Sequence, residues 1–180
     1  MIIAISGLSG TGKTTIAKEL SKITNIPISI RYTNRPMRPG ETNGIDYHFV
    51  DEISDGKFVG IERYNVDGGY TWSYGSKKED IKDVSIMVIN PLAIKALRDS
   101  GITVYDIRIE LNENVRLNRI TQRNDNQTKN EIERRTNADK VILNSYEPTV
   151  TIYNISSVET AKLIAHELQK MKIMYNRKKL

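Results

Sequence analysis

The 180-residue sequence contains no cysteine, only two histidines and no apolar run long enough to cross a lipid bilayer. Without cysteine there is no thiolate nucleophile, no disulfide framework and no cysteine-based zinc site. The longest apolar stretches are as short as MIIAI and SIMVI, and no signal-peptide pattern precedes a cleavage site. We therefore expect a cytoplasmic protein that does not contact membranes. The net charge of +5 suits anionic ligands. Part of this charge lies in the C-terminal segment KMKIMYNRKKL, which is typical of a solvated chain end. Nucleic acid is therefore not the favoured partner.

Predicted strands and helices alternate along most of the chain, and its length fits one compact domain. The run MIIAIS predicts a buried strand, and ISI, SIMVIN, ITVYDIRIEL and TVTIYN predict further ones. Residues suited to helix starts follow several of these strands: Pro91, Asn112, Thr128 with Glu131, and Ser156 with Glu159. The part from about residue 31 to 80 is rich in Gly, Asp, Asn and Tyr and contains the short strand-like pieces YHFV and FVGIERY. This pattern predicts an α/β fold with a mainly parallel sheet covered on both faces, interrupted by an insertion.

The segment GLSGTGKT, from Gly7 to Thr14, matches the pattern G-x-x-x-x-G-K-S/T and lies between a predicted strand and a predicted helix. Its glycines let backbone N–H groups turn towards phosphate oxygens, and the helix start adds partial positive charge. Lys13 can reach the outer phosphates of a nucleoside triphosphate, and the Thr14 hydroxyl can bind Mg²⁺. The alternative is a glycine-rich turn that binds no ligand. The predicted strand before the segment and the predicted helix after it disfavour this alternative. The predicted ATP-binding residues of this phosphate loop are Ser9, Gly10, Thr11, Gly12, Lys13, Thr14 and Thr15.

A phosphate loop is common to kinases and to many other NTPases, so a second substrate site must decide between them. Arg35 and Arg38 bracket Pro36 in the stretch RPMRPGE. Proline-rigid turns order arginine side chains before a ligand arrives, and arginine suits bidentate contacts to phosphate. Tyr47 and Tyr74 add hydroxyl donors. The alternative is a basic surface loop with solvated arginines.

Three segments together resemble the guanylate kinase family in order and approximate spacing: SGLSGTGKTT, YTNRPMRPGETNGIDYHFV and YGSKKE. The resemblance extends over nearly the whole chain and includes IERR and VTIYN. It implies a P-loop kinase three-layer fold in a single domain, with a core at about 1–30 and 82–180, an acceptor-binding insertion at about 31–80 and a helical lid at about 119–136. It also implies transfer of a phosphoryl group from ATP, with Mg²⁺, to GMP, dGMP or a related nucleotide. The partners expected are small nucleotides, and the chain is expected to be a monomer or a homodimer.

The resemblance assigns roles to individual residues. Arg35, Arg38, Tyr47 and Tyr74 are expected to hold the acceptor phosphate, and Ser76 to contact its base. The lid arginines Arg119, Arg123 and Arg135 are expected to offset charge in the transition state, unless they form an exposed helix face paired with acidic neighbours. Asn154 matches an asparagine near the donor's adenine, although it could equally cap a helix. The acceptor phosphate is largely dianionic at neutral pH, so no strong general base is required.

The sequence departs from the family pattern at three positions. Arg31 stands where the family usually has a serine that helps to read guanine. The family's guanine-reading glutamate aligns with Gly60, and Glu62 is the available carboxylate, two residues along the strand. Asn90 replaces the usual aspartate, and Mg²⁺ would then rely on Thr14, water and phosphate oxygens.

The dipeptide Arg31-Tyr32 and the letters VIN at the end of the predicted strand SIMVIN also resemble ribose 1,5-bisphosphate phosphokinases. A sugar-phosphate kinase is therefore the alternative enzyme. A noncatalytic protein-binding module is the alternative of another class, which the complete phosphate loop disfavours.

Overall fold

The computed structural model describes residues 1–65, 69–122, 141 and 146–171. Within these ranges the chain forms eight strands, which are β1 (Ile2–Ser6), β2 (Tyr32–Thr33), β3 (His48–Phe49), β4 (Val59–Asn65), β5 (Thr71–Ser76), β6 (Ser85–Val88), β7 (Val104–Glu110) and β8 (Val150–Tyr153). The helices are α1 (Lys13–Thr24), α2 (Pro91–Asp99), α3 (Glu113–Thr121) and α4 (Ser157–Lys170), and a 3₁₀ turn covers Lys78–Asp80. No helix within the described ranges is both long and apolar enough to cross a membrane.

The central sheet consists of four parallel strands in the order β6-β1-β7-β8. Alternate residues of β1 point to opposite faces, as the period of a strand requires. Ile3 and Ile5 pack in one core with residues of α1 and α4, whereas Ile2 and Ala4 pack in a second core with residues of α2. The prediction of an α/β fold with a parallel sheet between helical layers is confirmed.

Local capping signals place the helix starts correctly. The Asn90 side chain accepts a hydrogen bond from the Leu92 N–H at the start of α2, and Asn112 accepts hydrogen bonds at the start of α3. Ser156 accepts a hydrogen bond from the Glu159 N–H at the start of α4. The helix start predicted at Thr128 and Glu131 lies outside the described residues. The strand predicted for ISI is wrong, because Ile28 makes only an isolated bridge to Ile86.

A second sheet, in the order β3-β2-β5-β4, is formed by residues between 32 and 76. Strand β2 pairs with β3 in parallel, and β5 pairs in antiparallel fashion with β2 and β4. A register shift between Val59 and Glu62 marks a β-bulge in β4. On the outer face of this sheet Tyr32 stacks on His48 with ring centroids 4.6 Å apart. His48 therefore has a packing role.

Gly60 lies where the second sheet meets the core. Its φ is +61°, and a Cβ built on it would lie 2.7 Å from Leu97 Cγ and Cδ2, in α2. Both the backbone conformation and the close approach therefore require glycine. The family's glutamate aligns with this position, and a glutamate side chain does not fit between β4 and α2.

A buried carboxyl group joins β7 to the chain just before β8. Asp106 is fully buried and accepts a hydrogen bond from the Tyr146 hydroxyl, while the Tyr146 carbonyl accepts one from Arg108 Nη2. Burial raises the pKa of Asp106, and the hydrogen bond from Tyr146 opposes that shift. Two hydrogen bonds thus hold Tyr146 against the central sheet.

We predict that Gly60→Ala lowers the free energy of unfolding by about 2–4 kcal/mol, because it adds left-handed backbone strain to an overlap with Leu97. Gly56→Ala is the matched control: Gly56 has φ +88° but open space around the built Cβ, so only the backbone strain of about 1 kcal/mol applies. Urea unfolding of both variants measures the difference. Equal losses in the two variants would contradict the close packing of β4 on α2.

Candidate active site

The phosphate loop connects β1 to α1 at the carboxyl end of the central sheet. The chain passes from β6 on one side of β1 to β7 on the other, and crevices at such points bind ligands in open α/β sheets. No side chain caps the first turn of α1, which begins after Gly12. The N–H groups of that turn are therefore available to an anion. The hydroxyls of Thr14 and Thr15 belong to exposed residues in the same turn.

Lys13 is folded against its own loop. Its Nζ donates hydrogen bonds to the carbonyl oxygens of Gly7 and Leu8, at 2.9 and 2.8 Å. The Thr11 hydroxyl also donates to the Leu8 carbonyl, at 2.9 Å. These hydrogen bonds keep the loop in a closed turn and hold the Lys13 ammonium group against the loop backbone.

Asn154 is tied to the phosphate loop. It is 4% exposed, its Nδ2 donates to the Thr11 carbonyl at 2.7 Å, and its Oδ1 accepts from the Thr160 hydroxyl at 3.1 Å. The cap of α4 is Ser156, so the helix-cap alternative for Asn154 is wrong. The side chain bridges the end of β8 and α4 to the loop.

One of the three predicted lid arginines falls within the described residues. A Cβ built on Gly12 would lie 3.5 Å from Arg119 Nη1 and 2.9 Å from Asn154 Nδ2, so the guanidinium of Arg119 is adjacent to the loop. Arg123 and Arg135 lie outside the described residues.

Most of the predicted acceptor residues share one face of the second sheet, whereas Arg38 lies in the segment that follows β2. Thr33 is the register partner of both Phe49 and Tyr74, and Tyr74 is also the partner of Glu62. Side chains paired in this way lie on the same face, and so do residues two positions away along each strand. The face therefore includes the predicted residues Arg31, Tyr47, Glu62, Tyr74 and Ser76. The ring centroid of Tyr74 lies 5.6 Å from that of Tyr47.

Arg35 is a buried cation on this face, and hydrogen bonds fix both of its terminal nitrogens. Its Nη1 and Nη2 donate to the two carboxylate oxygens of Glu41 at 2.8 and 2.6 Å, and Nη1 also donates to the Pro36 carbonyl. The guanidinium carbon lies 5.1 Å from the ring centroid of Tyr47 and 5.4 Å from that of Phe49. Arg35 is 4% exposed, so the solvated-loop alternative is wrong for this residue.

Glu41 organises the arginine turn, and sequence reasoning did not single it out. Besides Arg35, its Oε2 accepts a hydrogen bond from the Arg38 backbone N–H at 2.9 Å. Burial acts to raise the pKa of Glu41, but the hydrogen bonds from Arg35 and Arg38 outweigh burial and hold the pKa below its ordinary value. Glu41 is therefore ionised when it holds Arg35. An acid three residues after a turn arginine was the available signal.

Two hydroxyl groups, those of Tyr47 and Ser76, belong to the same face. The pKa of Tyr47 is raised to about 12, mainly by burial and secondly by the neighbouring Tyr74. Its hydroxyl therefore remains a hydrogen-bond donor at neutral pH. Ser76 is buried, and its hydroxyl lies 3.8 Å from Met87 Sδ in the central sheet. Ser76 therefore lies at the boundary between the two sheets.

Arg31 and Glu62, the two departures in the base-reading region, form a buried ion pair. Arg31 Nη1 donates to Glu62 Oε1, and Nη2 donates to the Gly60 carbonyl at 2.9 Å. The other oxygen, Glu62 Oε2, accepts from the Tyr64 hydroxyl at 2.8 Å. Both carboxylate oxygens are thus engaged, and the side chains of Arg31 and Glu62 are 4% and 3% exposed. Sequence reasoning named both residues but not their contact with each other.

The third departure has a structural explanation. The Asn90 side-chain oxygen accepts the Leu92 N–H at 2.9 Å, as the cap of α2. Across the described parts of the chain no cluster of three or more His, Asp or Glu residues is arranged to hold a metal ion. The Thr14 hydroxyl is a group of the kind that can bind Mg²⁺, a cation that usually keeps several waters and binds phosphate oxygens.

Comparisons with known proteins show which proteins this chain resembles in sequence and in fold. A guanylate kinase from Acinetobacter baylyi is 36% identical over 89 residues, which are 46% of this chain and 41% of that protein. One from Chromohalobacter salexigens is 35% identical over 114 residues, which are 59% of this chain and 43% of that protein. The matched stretches therefore span less than half of these relatives.

Solved structures show a similar fold. The crystal structure of guanylate kinase from Anaplasma phagocytophilum matches with a TM-score of 0.65 at 23% identity, over 94% of this chain and 85% of that one. The structure of a sugar kinase from Janibacter sp. HTCC2649 matches with a TM-score of 0.51 at 13% identity, over 96% of each chain. At these identities the likeness concerns the fold alone. The guanylate kinase family model, however, matches residues 1–171, and the chain therefore belongs to the guanylate kinase family.

Proposed function

We propose that this protein is an ATP-dependent nucleoside monophosphate kinase that transfers the γ-phosphoryl group of ATP to GMP, dGMP or a related nucleotide. The observation that carries the proposal is that one chain contains two separate groups of residues suited to phosphate. The first is the loop with Lys13, and the second is the buried, oriented Arg35 with its aromatic neighbours. A phosphotransferase needs one for its donor and one for its acceptor.

In this proposal the loop N–H groups and Lys13 bind the donor's phosphates, with Thr15 at the same helix start and Asn154 holding the loop. The Thr14 hydroxyl would hold Mg²⁺, which when bound neutralises part of the triphosphate charge. Arg119 beside the loop, together with Arg123 and Arg135, would offset the charge that builds up during transfer.

The acceptor phosphate would be held by Arg35, Arg38, Tyr47 and Tyr74. Because its second pKa is about 6, the phosphate is largely a dianion at neutral pH, and the protein need only align it. Ser76 and the Arg31–Glu62 pair would contact the base. The reaction consumes ATP and small nucleotides, which implies the cytoplasm as its location.

The direct test is ADP formation with a panel of acceptors: GMP, dGMP, AMP, CMP, UMP, dTMP and ribose 1,5-bisphosphate. We expect turnover with at least one purine monophosphate. Lys13→Met should lower kcat by about a hundredfold, which corresponds to about 2.7 kcal/mol of transition-state stabilisation. Turnover with the sugar bisphosphate alone would favour the alternative kinase. No ADP with any acceptor would favour a noncatalytic binding module.

The Arg35–Glu41 pair gives a prediction for the acceptor phosphate. Glu41→Gln removes the charged partner that orients both terminal nitrogens of Arg35, and we expect the KM of the acceptor to rise about tenfold, or about 1.4 kcal/mol. The KM of ATP should change less than about twofold. The control is Asp55→Asn, which makes the same acid-to-amide change in the exposed Asp55–Arg63 ion pair and should leave both constants unchanged. An unchanged acceptor KM in Glu41→Gln would contradict the assignment of Arg35.

The Arg31–Glu62 pair gives a prediction for acceptor choice. Arg31→Ser leaves the Glu62 carboxylate without its cation, so we expect a loss of about 3 kcal/mol in unfolding free energy and a gain in GMP preference over the best other acceptor. Glu62→Gln should also destabilise the fold but without that gain. The double variant should lose less stability than the sum of the two single losses. An unchanged acceptor ranking in Arg31→Ser would show that Arg31 does not determine specificity.

A further inference from the structure

Arg116, in α3, is a buried cation for which the proposed reaction has no role. It is 0% exposed, and it is the largest of the fully buried side chains in the described part of the chain. The segment around it, NENVRLNR, is mostly polar and gave no reason to expect burial of this arginine. Arginine is almost never fully buried unless it is paired. The position of this side chain therefore requires an explanation.

The side chain lies directly behind the phosphate loop. Its Nη1 donates a hydrogen bond to the Ser9 carbonyl at 3.2 Å. A Cβ built on Gly10 would lie 2.8 Å from the Arg116 carbonyl oxygen and 3.0 Å from its Cγ, so the loop backbone is packed against this residue. A side chain at position 10 would displace α3.

The hydrogen bond to Ser9 fixes the direction of the next N–H group. The Ser9 carbonyl and the Gly10 N–H belong to one planar trans peptide unit, in which C=O and N–H point in opposite directions. Because Arg116 holds the carbonyl on the α3 side, the Gly10 N–H is directed to the opposite side of the loop. A bound phosphate would accept hydrogen bonds on that side.

Within the described part of the chain, the charge of Arg116 is only partly compensated. A carboxylate oxygen, Glu113 Oε1, lies 3.6 Å from Nη2, on a side chain that is 55% exposed. Neither Nε nor Nη2 has a hydrogen-bond partner among the described residues. A guanidinium remains protonated even when buried, so it cannot escape this cost by losing its proton. A polyphosphate in front of the loop would supply the missing negative charge.

We propose that Arg116 is a positioning residue of the phosphate loop, which directs the Gly10 N–H towards the donor's phosphates and adds buried positive charge behind them. It acts through the loop backbone and does not touch the reacting atoms. The proposal rests on the proposed function only in taking an adenine di- or triphosphate as the loop's ligand. Acceptor binding should not depend on Arg116.

The test compares Arg116→Met, which removes the charge and the hydrogen bond at similar length, with Arg116→Lys, which keeps a charge and a donor. The control is Arg98→Met: Arg98 Nη2 donates to the Val104 carbonyl at the same 3.2 Å, at the end of α2. The Kd of MgADP is measured by calorimetry without acceptor. Relative to wild type, we expect it to be about tenfold higher for Arg116→Met and changed by less than about threefold for Arg116→Lys. For Arg98→Met we expect it to be unchanged. The KM of the acceptor should stay within about twofold.

Stability separates this role from simple packing. Replacing an incompletely paired buried ion with an apolar side chain is often neutral or stabilising. We therefore expect the nucleotide-free Arg116→Met protein to be at least as stable as wild type, but to gain less thermal stability from MgADP. If Arg116→Met fails to fold, Arg116→Gln, which keeps a donor without the charge, carries the test. It should bind MgADP at least about threefold more weakly than Arg116→Lys.

Wild-type MgADP affinity in Arg116→Met, or in Arg116→Gln if that variant is used, would overturn the proposal. So would equal losses for MgADP and for the acceptor, because these would indicate a general structural role. The readout is independent of the acceptor. If no acceptor is phosphorylated but Arg116→Met loses MgADP affinity, the role of Arg116 stands and the proposed kinase activity falls.

Discussion

Three arginines, Arg31, Arg35 and Arg116, are almost completely removed from water. A guanidinium stays charged at any pH at which the protein folds, so each of these charges must be compensated by oxygen atoms from the protein or a ligand. The three solutions differ. Among the described residues, Arg35 pairs with both carboxylate oxygens of Glu41, Arg31 pairs with Glu62 and a carbonyl, and Arg116 has one carbonyl and a carboxylate oxygen 3.6 Å away. Much of the polar interior of the described chain follows from this requirement.

The features that could be predicted from the sequence are those with local causes. The strand, glycine-rich turn and helix at the amino terminus, and the caps Asn112 and Ser156, depend on residues within a few positions of each other. The arginine turn was likewise recognisable from its prolines, because they restrict the backbone wherever they occur. These local signals were enough to predict the α/β layers and the phosphate loop.

The features that could not be predicted depend on contacts between distant residues. Arg31 and Glu62 are 31 positions apart, and their pairing depends on the bulge that follows Val59. Arg116 and Ser9 are 107 positions apart, and the mostly polar segment around Arg116 gives no sign of its burial. The strand predicted for ISI failed for a similar reason. A short apolar segment becomes a strand only if a neighbour offers a continuous edge, and Ile28 finds one bridge there.

The absence of a side chain at Gly60 limits how the two sheets can move. The backbone of β4 lies directly against Leu97, with no side chain between them to act as a flexible spacer. Well-packed surfaces rearrange between discrete states and do not deform continuously. Any displacement of the second sheet relative to the phosphate loop must therefore carry α2 with it or separate that contact. Since α2 begins at the carboxyl end of β6, and β6 pairs with β1, the contact couples the second sheet to the strand that leads into the phosphate loop.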